Sequence, residues 1–293
     1  MKITVIGTGL IGGSMALDLK KRRLTSHVFG VDKNATHLEK AIELGIIDEK
    51  SNLIEALDKT ELIIISVPVD TAPDILKQVL DLIKPGQTVM DVGSIKGNIC
   101  SHIAEHPNRK QFVACHPIAG TEYSGPEAAH YYLFDGKVNI ITDKEHSDKS
   151  SLEIVEKVFK TLKMDTIYMG AEEHDRHIAY VSHLSHITSF TLGLTVLELE
   201  KDEKSIFNMA GSGFASTVRL AKSSPDMWAP IFKENKENLT NAIDAYIDKL
   251  NQLKKSIESG NMQDTHQTIT EANQIERILE GIELKNQAAT IKK

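Results

Sequence analysis

No stretch of this 293-residue chain is apolar for long. Its longest aliphatic run, Leu62-Ile63-Ile64-Ile65, falls far short of a bilayer span, which takes about 20 apolar residues in a helix. A strand pattern begins at residue 2, leaving no room for a signal peptide, so a cytoplasmic protein is expected. Cysteine is scarce: Cys100 and Cys115 form neither a C-x-x-C motif nor a zinc pattern and are expected to be reduced thiols. Positive charge is not in excess. With 34 Lys and Arg against 41 Asp and Glu the net charge is -7, which argues against a nucleic-acid-binding surface. Neither nucleic acid nor a membrane is therefore an expected partner. Internal repeats and low-complexity segments are lacking too. What remains, 41% hydrophobic and 26% charged, is the composition of an ordinary globular chain. Its length allows two domains or one large one.

The chain opens on Lys2-Ile3-Thr4-Val5-Ile6-Gly7-Thr8-Gly9-Leu10-Ile11-Gly12-Gly13. Ile3 to Ile6 read as a strand, Gly7, Gly9 and Gly12 give G-x-G-x-x-G, and Met15, Ala16, Leu19 and Lys20 continue as a helix. A second strand, His27 to Val31, ends at Asp32, twenty residues beyond Gly12. The chemistry explains the spacing. Gly7 permits the tight turn, Gly9 lets the backbone approach a pyrophosphate, and Gly12 lets helix pack on strand. The free N–H groups and positive dipole end of the helix then meet the pyrophosphate. Asp32 would accept hydrogen bonds from ribose hydroxyls and repel a 2′-phosphate, so NAD is expected rather than NADP. Leu10 and Ile11 at the head of the helix, with Val67 and Pro68 past a later strand, complete the candidate cofactor-binding set.

Further strands read at Leu62–Val67, Thr88–Val92, Gln111–Cys115, Val138–Thr142 and Thr166–Met169, with helices between several of them, as at Ala72–Ile83 and Lys149–Leu162. This is the βαβ pattern of a parallel sheet. Three strand ends carry polar or special residues: Ser66-Val67-Pro68-Val69-Asp70, Asp91-Val92-Gly93-Ser94-Ile95-Lys96-Gly97, and His116-Pro117-Ile118-Ala119-Gly120-Thr121-Glu122. In a parallel sheet all three fall on the carboxyl edge, where open α/β sheets place their ligands. His116, just past a strand end, is thus a candidate acid or base beside a redox cofactor.

After Gly170 the strand patterns stop, and Pro225 and Pro230 are the only prolines. Ser224-Pro225 reads as an N-cap followed by proline at the first helical position. Leu239, Ile243, Tyr246, Leu250, Leu253 and Ile257 form an a/d heptad seam. Ser259-Gly260-Asn261 reads as a turn, and Ile269, Ala272, Ile275, Leu279 and Ile282 as a returning helix. Pattern alone leaves an intramolecular hairpin and a dimer interface both open; a homodimer built by the helical half is the expectation. The fold expected is a Rossmann-type doubly wound parallel sheet (α/β) over residues 1–170, an all-helical substrate and dimerisation domain over 171–282, and a flexible tail over 283–293.

The helical half also carries His174-Asp175-x-His177 and Ser182-His183-Leu184-Ser185-His186. At about 100° per residue, His177 and His186 fall on opposite sides of a continuous helix. The four histidines then cannot share one face, and no metal is expected. Arg219 lies among small and apolar residues in Gly213-Phe214-Ala215-Ser216-Thr217-Val218-Arg219-Leu220. It is either a surface arginine or a guanidinium turned into a cleft to hold a carboxylate in a bidentate fork.

Together these residues resemble the prephenate dehydrogenases of the tyrosine pathway, the TyrA family. The carrying residues are the glycine fingerprint with Asp32, Gly93-Ser94-Ile95-Lys96-Gly97, His116 to Glu122, His174-Asp175, Ser182-His183-Leu184-x-His186, Gly213-Phe214 with Arg219, and Pro225-x-x-Trp228. They run in the family's order from Met1 to Ile282. The resemblance implies that His116 is the catalytic histidine bonded to the substrate's ring hydroxyl. Ser94 would bond that hydroxyl or orient His116. Arg219 would bind a substrate carboxylate with His186 nearby, while Thr121, Glu122 and Trp228 border the substrate cleft. Ser185 and Ser216 depart from the family pattern, which often has proline and aspartate there. The activity implied is NAD-dependent oxidative decarboxylation of prephenate to 4-hydroxyphenylpyruvate. A neutral histidine takes the hydroxyl proton, and the cofactor carries the redox chemistry. Arogenate (cyclohexadienyl) dehydrogenase is the alternative, since the two substrates differ only at a side-chain keto or amino group. A non-catalytic NAD-sensing regulator is the remoter one and would need an effector surface that the sequence does not show. After Ile282 only a short tail follows, so no fused mutase or regulatory domain is expected.

Overall fold

Leu62 to Ile65, apolar at every position, forms a strand fully buried on both faces. This is the signature of a parallel strand covered by helices on each side. In the computed structural model, which describes residues 1–201 and 205–282, it lies near the middle of an eight-stranded sheet. The strands are β1 Lys2–Ile6, β2 His27–Val31, β3 Glu49–Lys50, β4 Leu62–Ile65, β5 Thr88–Asp91, β6 Phe112–Pro117, β7 Val138–Thr142 and β8 Asp165–Met169, in the order β3-β2-β1-β4-β5-β6-β7-β8. β1 to β6 pair in parallel. β7 runs antiparallel to β6, and β8 parallel to β7. β3, two polar residues long, carries no apolar signal that a sequence reading could find.

Helices α1 Leu10–Lys21, α2 Ala35–Glu43, α3 Leu53–Lys59, α4 Ala72–Leu82, α5 Gly97–His102 and α6 Lys149–Thr161 connect the strands. They build two cores. One gathers Val5, Met15, Leu19, Met90, Val113, Cys115 and Phe159 on one face of the sheet. The other gathers Ile6, Ile63, Ile65, Leu76, Leu80, Phe112 and Ala114 on the opposite face. Side chains alternate along β6, so His116 continues the face of Phe112 and Ala114.

Several strand ends shift by one or two residues, and one shift bears on the site. His116 was expected just past the strand, but His116 and Pro117 belong to β6, where β7 extends the ladder by pairing them with Ile140 and Asn139. The antiparallel partner reaches beyond the point where the apolar run of β6 stops.

After the sheet come α7 Ala171–Ile178, α8 Leu184–Glu200, α9 Ser212–Thr217 and α10 Pro225–Glu234. Between α7 and α8 the helix passes through a π turn, Ala179–His183. Two compact units divide the chain after Asn235, later than the change to all-helical character at Gly170. The second unit holds α11 Lys236–Glu258 and α12 Met262–Ala272 as a hairpin, with Ser256 and Thr265 hydroxyls 2.7 Å apart across it. Helix resumes over 276–282. Along the heptad seam Leu239 is buried, Ile243, Tyr246 and Leu253 are half-buried, and Leu250 and Ile257 are exposed. Ile247, Ile269, Ile275, Ile278, Leu279 and Ile282 are exposed as well. The tail expected over 283–293 lies outside the described residues. Among the described residues no helix is long and apolar enough to cross a membrane.

Candidate active site

Gly7 is forced by its surroundings. Its φ is +92°, and a Cβ there would lie 2.1 Å from the Ser66 carbonyl oxygen. Gly12 is equally confined, 2.2 Å from the Gly7 carbonyl. A Cβ on Gly9, by contrast, would meet nothing within 4 Å. Gly9 thus faces open space at the N-terminus of α1, which has no side-chain cap and no acidic residue in its first turn. Uncapped N–H groups beside a cleared backbone suit an anionic phosphate. Leu10 and Ile11 begin this helix half-buried. Asp32 closes the second strand beside it. Its Oδ2 accepts from Thr8 N–H at 2.9 Å and the Thr8 hydroxyl at 3.1 Å, and its Oδ1 accepts from Asn34 N–H at 2.9 Å. The carboxylate is thereby held against the glycine turn with acceptor capacity on Oδ1 to spare. Val67 is half-buried past β4, and Pro68 is exposed. This group of residues fits a dinucleotide.

The neighbouring ends of β5 and β6 are built around a buried ion pair. Asp91 and Lys96 are both almost wholly buried and bonded to each other. Backbone pairing of β5 with β6 runs only to Met90 and Val113. Beyond it the side chains take over: Asp91 Oδ1 accepts from Cys115 N–H at 3.1 Å, and Lys96 Nζ donates to the Cys115 carbonyl at 2.7 Å. Asp91 Oδ2 also accepts from Gly93 N–H at 2.9 Å. The backbone immediately before His116 is therefore clamped at both of its polar groups. Cys100 and Cys115 are buried free thiols, and burial raises both, Cys100 to about 12.

His116 Nδ1 lies 2.8 Å from His174 Nε2, with the rings edge to face. His174 Nδ1 lies 2.8 Å from Asp175 Oδ1. The Asp175 carboxylate also accepts from Lys96 N–H at 2.8 Å and Gly97 N–H at 2.7 Å, tying α7 to the loop that carries Ser94. The Asn235 amide donates to the Asp175 carbonyl at 2.7 Å and lies 3.2 Å from His183 Nδ1. His183 meets Trp228 edge-on, and His186 stacks on Trp228 at 3.5 Å between ring centroids. Ile95, Trp228 and Ile231 form a small apolar cluster that returns to the Ser94 loop. His116, His174, Asp175, Asn235, His183, Trp228 and His186 are thus one continuous chain of contacts.

Burial drives the electrostatics. Desolvation holds His116 well below the usual histidine value, and the neighbouring His174, Lys96 and His183 add to it. His183 is pushed down to about 4, first by burial. His186 is lowered by burial and then by the Arg219 charge, against a bond from its ring to the Ser182 carbonyl. His116 and His183 are therefore neutral bases at physiological pH.

The candidate substrate residues fall in three places. His186 and Trp228 are in contact, and the charge of exposed Arg219 reaches His186. Thr121 and Glu122 lie half-buried in the loop after β6, where Thr121 Oγ1 accepts from Tyr123 N–H at 3.3 Å. Ser94 is half-buried, and its hydroxyl has no partner among the described residues. The side chain within hydrogen-bond distance of the His116 ring is His174. The histidines also part company. His174 and His183 are buried, His186 is half-buried and His177 is exposed. The π turn changes the helical phase between them, so counting at 100° per residue through residue 186 does not hold. Asp91, Lys96 and Asp175 stood in the motifs of the sequence without a role, and Asn235 in none of them; the spacings were visible, but their convergence was not.

Two family descriptions match the chain: "Prephenate dehydrogenase, nucleotide-binding domain" over residues 15–168 and "Prephenate dehydrogenase, dimerization domain" over residues 170–271. The prephenate dehydrogenase of Bacillus subtilis (strain 168) is 30% identical over 263 residues, covering 88% of this chain and 71% of that one. The crystal structure of prephenate dehydrogenase from A. aeolicus, in complex with hydroxyphenyl propionate and NAD+, superposes with a TM-score of 0.87 at 35% identity, covering 95% of this chain and 97% of that one. Synechocystis arogenate dehydrogenase superposes with a TM-score of 0.78 at 27% identity, covering 95% and 100%.

Proposed function

The chain belongs to the prephenate dehydrogenase family, and from that premise we infer that it is an NAD-dependent dehydrogenase that oxidatively decarboxylates prephenate to 4-hydroxyphenylpyruvate in tyrosine biosynthesis. The observation that carries this reading is a neutral, buried His116 at the carboxyl edge of the sheet, with two strands between its own and the one that leads into the glycine turn. The glycine turn, the uncapped N-terminus of α1, Asp32, Val67 and Pro68 would hold the cofactor. When bound, NAD supplies the acceptor for the hydride that leaves the carbinol carbon. His116 takes the ring-hydroxyl proton at Nε2. The Ser94 hydroxyl bonds the same oxygen. Arg219 and His186 bind a carboxylate, bordered by Thr121, Glu122 and Trp228. Loss of carbon dioxide then makes the ring aromatic, which drives the reaction.

The sheet over residues 1–170 serves the cofactor, and the helices over 171–282 serve substrate and assembly. The assembly is a homodimer. Its support is the row of exposed apolar residues on both helices of the second unit and the family description that covers residues 170–271. Two buried, unpaired cysteines suit a reducing compartment such as the cytoplasm.

Catalytic efficiency with prephenate and with arogenate, each with NAD and NADP, tests the reading. Prephenate with NAD should be the best pair. Preference for arogenate would move the substrate to its amino analogue, equal use of NADP would remove the role of Asp32, and no turnover of either substrate would end the reading altogether. Arg219→Ala removes a charge-assisted hydrogen bond of about 1.5–3 kcal/mol, so KM for prephenate should rise roughly ten- to a hundredfold while NAD affinity holds; unchanged substrate kinetics would discard that role. Sedimentation at micromolar concentration should show a dimer, and a monomer would leave the heptad seam an intramolecular contact.

A further inference from the structure

Asp175 sits behind the proposed base with every hydrogen bond directed inward. An ionised carboxylate only accepts, and Asp175 accepts from Lys96 N–H, Gly97 N–H and His174 Nδ1. His174 therefore carries its hydrogen on Nδ1. A neutral His174 then offers only a lone pair at Nε2, and His116 Nδ1, 2.8 Å away, must donate to it. That leaves a lone pair on His116 Nε2. This nitrogen has no hydrogen-bond partner among the described residues, and it is not one of the side-chain atoms sealed from solvent without one.

We propose that His174 and Asp175 are positioning residues that fix His116 in its Nδ1–H form and receive, through it, the proton taken from the substrate hydroxyl. The inference rests on reading His116 as the base. Each bond is accounted for. The substrate O–H bond breaks as N–H forms at His116 Nε2; the Nδ1–H bond of His116 breaks as N–H forms at His174 Nε2. His116 finishes neutral, and the positive charge finishes on His174 against the Asp175 carboxylate. The electrons of the carbinol C–H bond leave with the hydride that NAD accepts.

The surroundings explain why such a passage is needed. A cation left on His116 would be buried and would face Lys96 and His183, neither of which compensates it. A cation on His174 has a carboxylate at 2.8 Å. Asp175 is itself fixed by two backbone N–H groups of the Ser94 loop, so the pair also sets the distance between that loop and His116.

Nitrogen-edited NMR of histidine-labelled full-length protein at neutral pH, without substrate, reads the tautomer of His116, its signal assigned by loss in His116→Asn. The wild type should carry the hydrogen on Nδ1. In Asp175→Asn the amide oxygen keeps two of the three donors by taking the Oδ1 place, where Lys96 N–H and His174 Nδ1 meet, and the NH2 takes the Oδ2 place beside Gly97 N–H. The variant keeps His116 in its Nδ1–H form but faces His174 with no negative charge to hold the proton. Its kcat should fall by roughly a hundredfold or more, with KM for prephenate nearly unchanged. His174→Gln keeps Asp175 and its loop contacts. Its amide can donate to Asp175 and accept from His116, but it cannot take a proton. His116 should stay Nδ1–H while kcat falls roughly ten- to a hundredfold. A wild-type His116 carrying its hydrogen on Nε2, an Asp175→Asn protein with kcat unchanged, or a His174→Gln protein as fast as wild type would overturn the proposal. Absence of turnover in the wild type would instead strike the reading of His116 as base, and the tautomer measurement would still decide the positioning role.

Discussion

The ion pair between Asp91 and Lys96 is the constraint on which the site rests. Two charges taken out of water cost several kcal/mol each unless geometry and further hydrogen bonds offset them. Here the offset comes from the backbone that the pair replaces. β5 and β6 stop pairing after Met90 and Val113, and the two side chains then grip the N–H and carbonyl of Cys115. The next residue is His116. Removing either charge would leave the other buried and free one edge of the strand end that carries His116, whose other edge stays paired with β7.

From that clamp the site extends by single contacts. The backbone of Lys96 and Gly97 anchors Asp175, Asp175 anchors His174, and His174 meets His116. Asn235 brings His183 to the same group. Trp228 joins His183 to His186 and packs on Ile95, next to Ser94. Burial, which the clamp makes affordable, keeps the histidines neutral.

Much of this was legible in the sequence. The glycine turn and Asp32 announce themselves because their spacing is set by backbone sterics and phosphate geometry, which leave few solutions. The strands of the α/β half show because parallel strands buried on both faces are continuously apolar. His116 stood out because it ends such a strand. What was hidden depended on long-range convergence. Nothing near His116 in sequence points to His174, 58 residues away. The antiparallel turn of β7, which takes His116 into the ladder, follows from tertiary pairing and not from local pattern. The π turn at Ala179–His183 broke the simple helical count that separated the histidines. Lys96 read as one polar residue of a loop, since only the fold reveals that it is buried against Asp91.

The central claim is that His116 is the base, and turnover of prephenate with NAD by wild type and His116→Asn across pH tests it most directly. Burial and its charged neighbours lower His116, so the ring stays unprotonated as pH falls through the ordinary histidine value of about 6.5. Wild-type kcat should therefore hold through that value and decline only well below it. His116→Asn should lose about 10²–10⁴-fold in kcat, keep its NAD affinity and show no such acidic decline. A variant with near-normal turnover and the same acidic decline would contradict the account and move the base elsewhere, with His186 the next residue to examine.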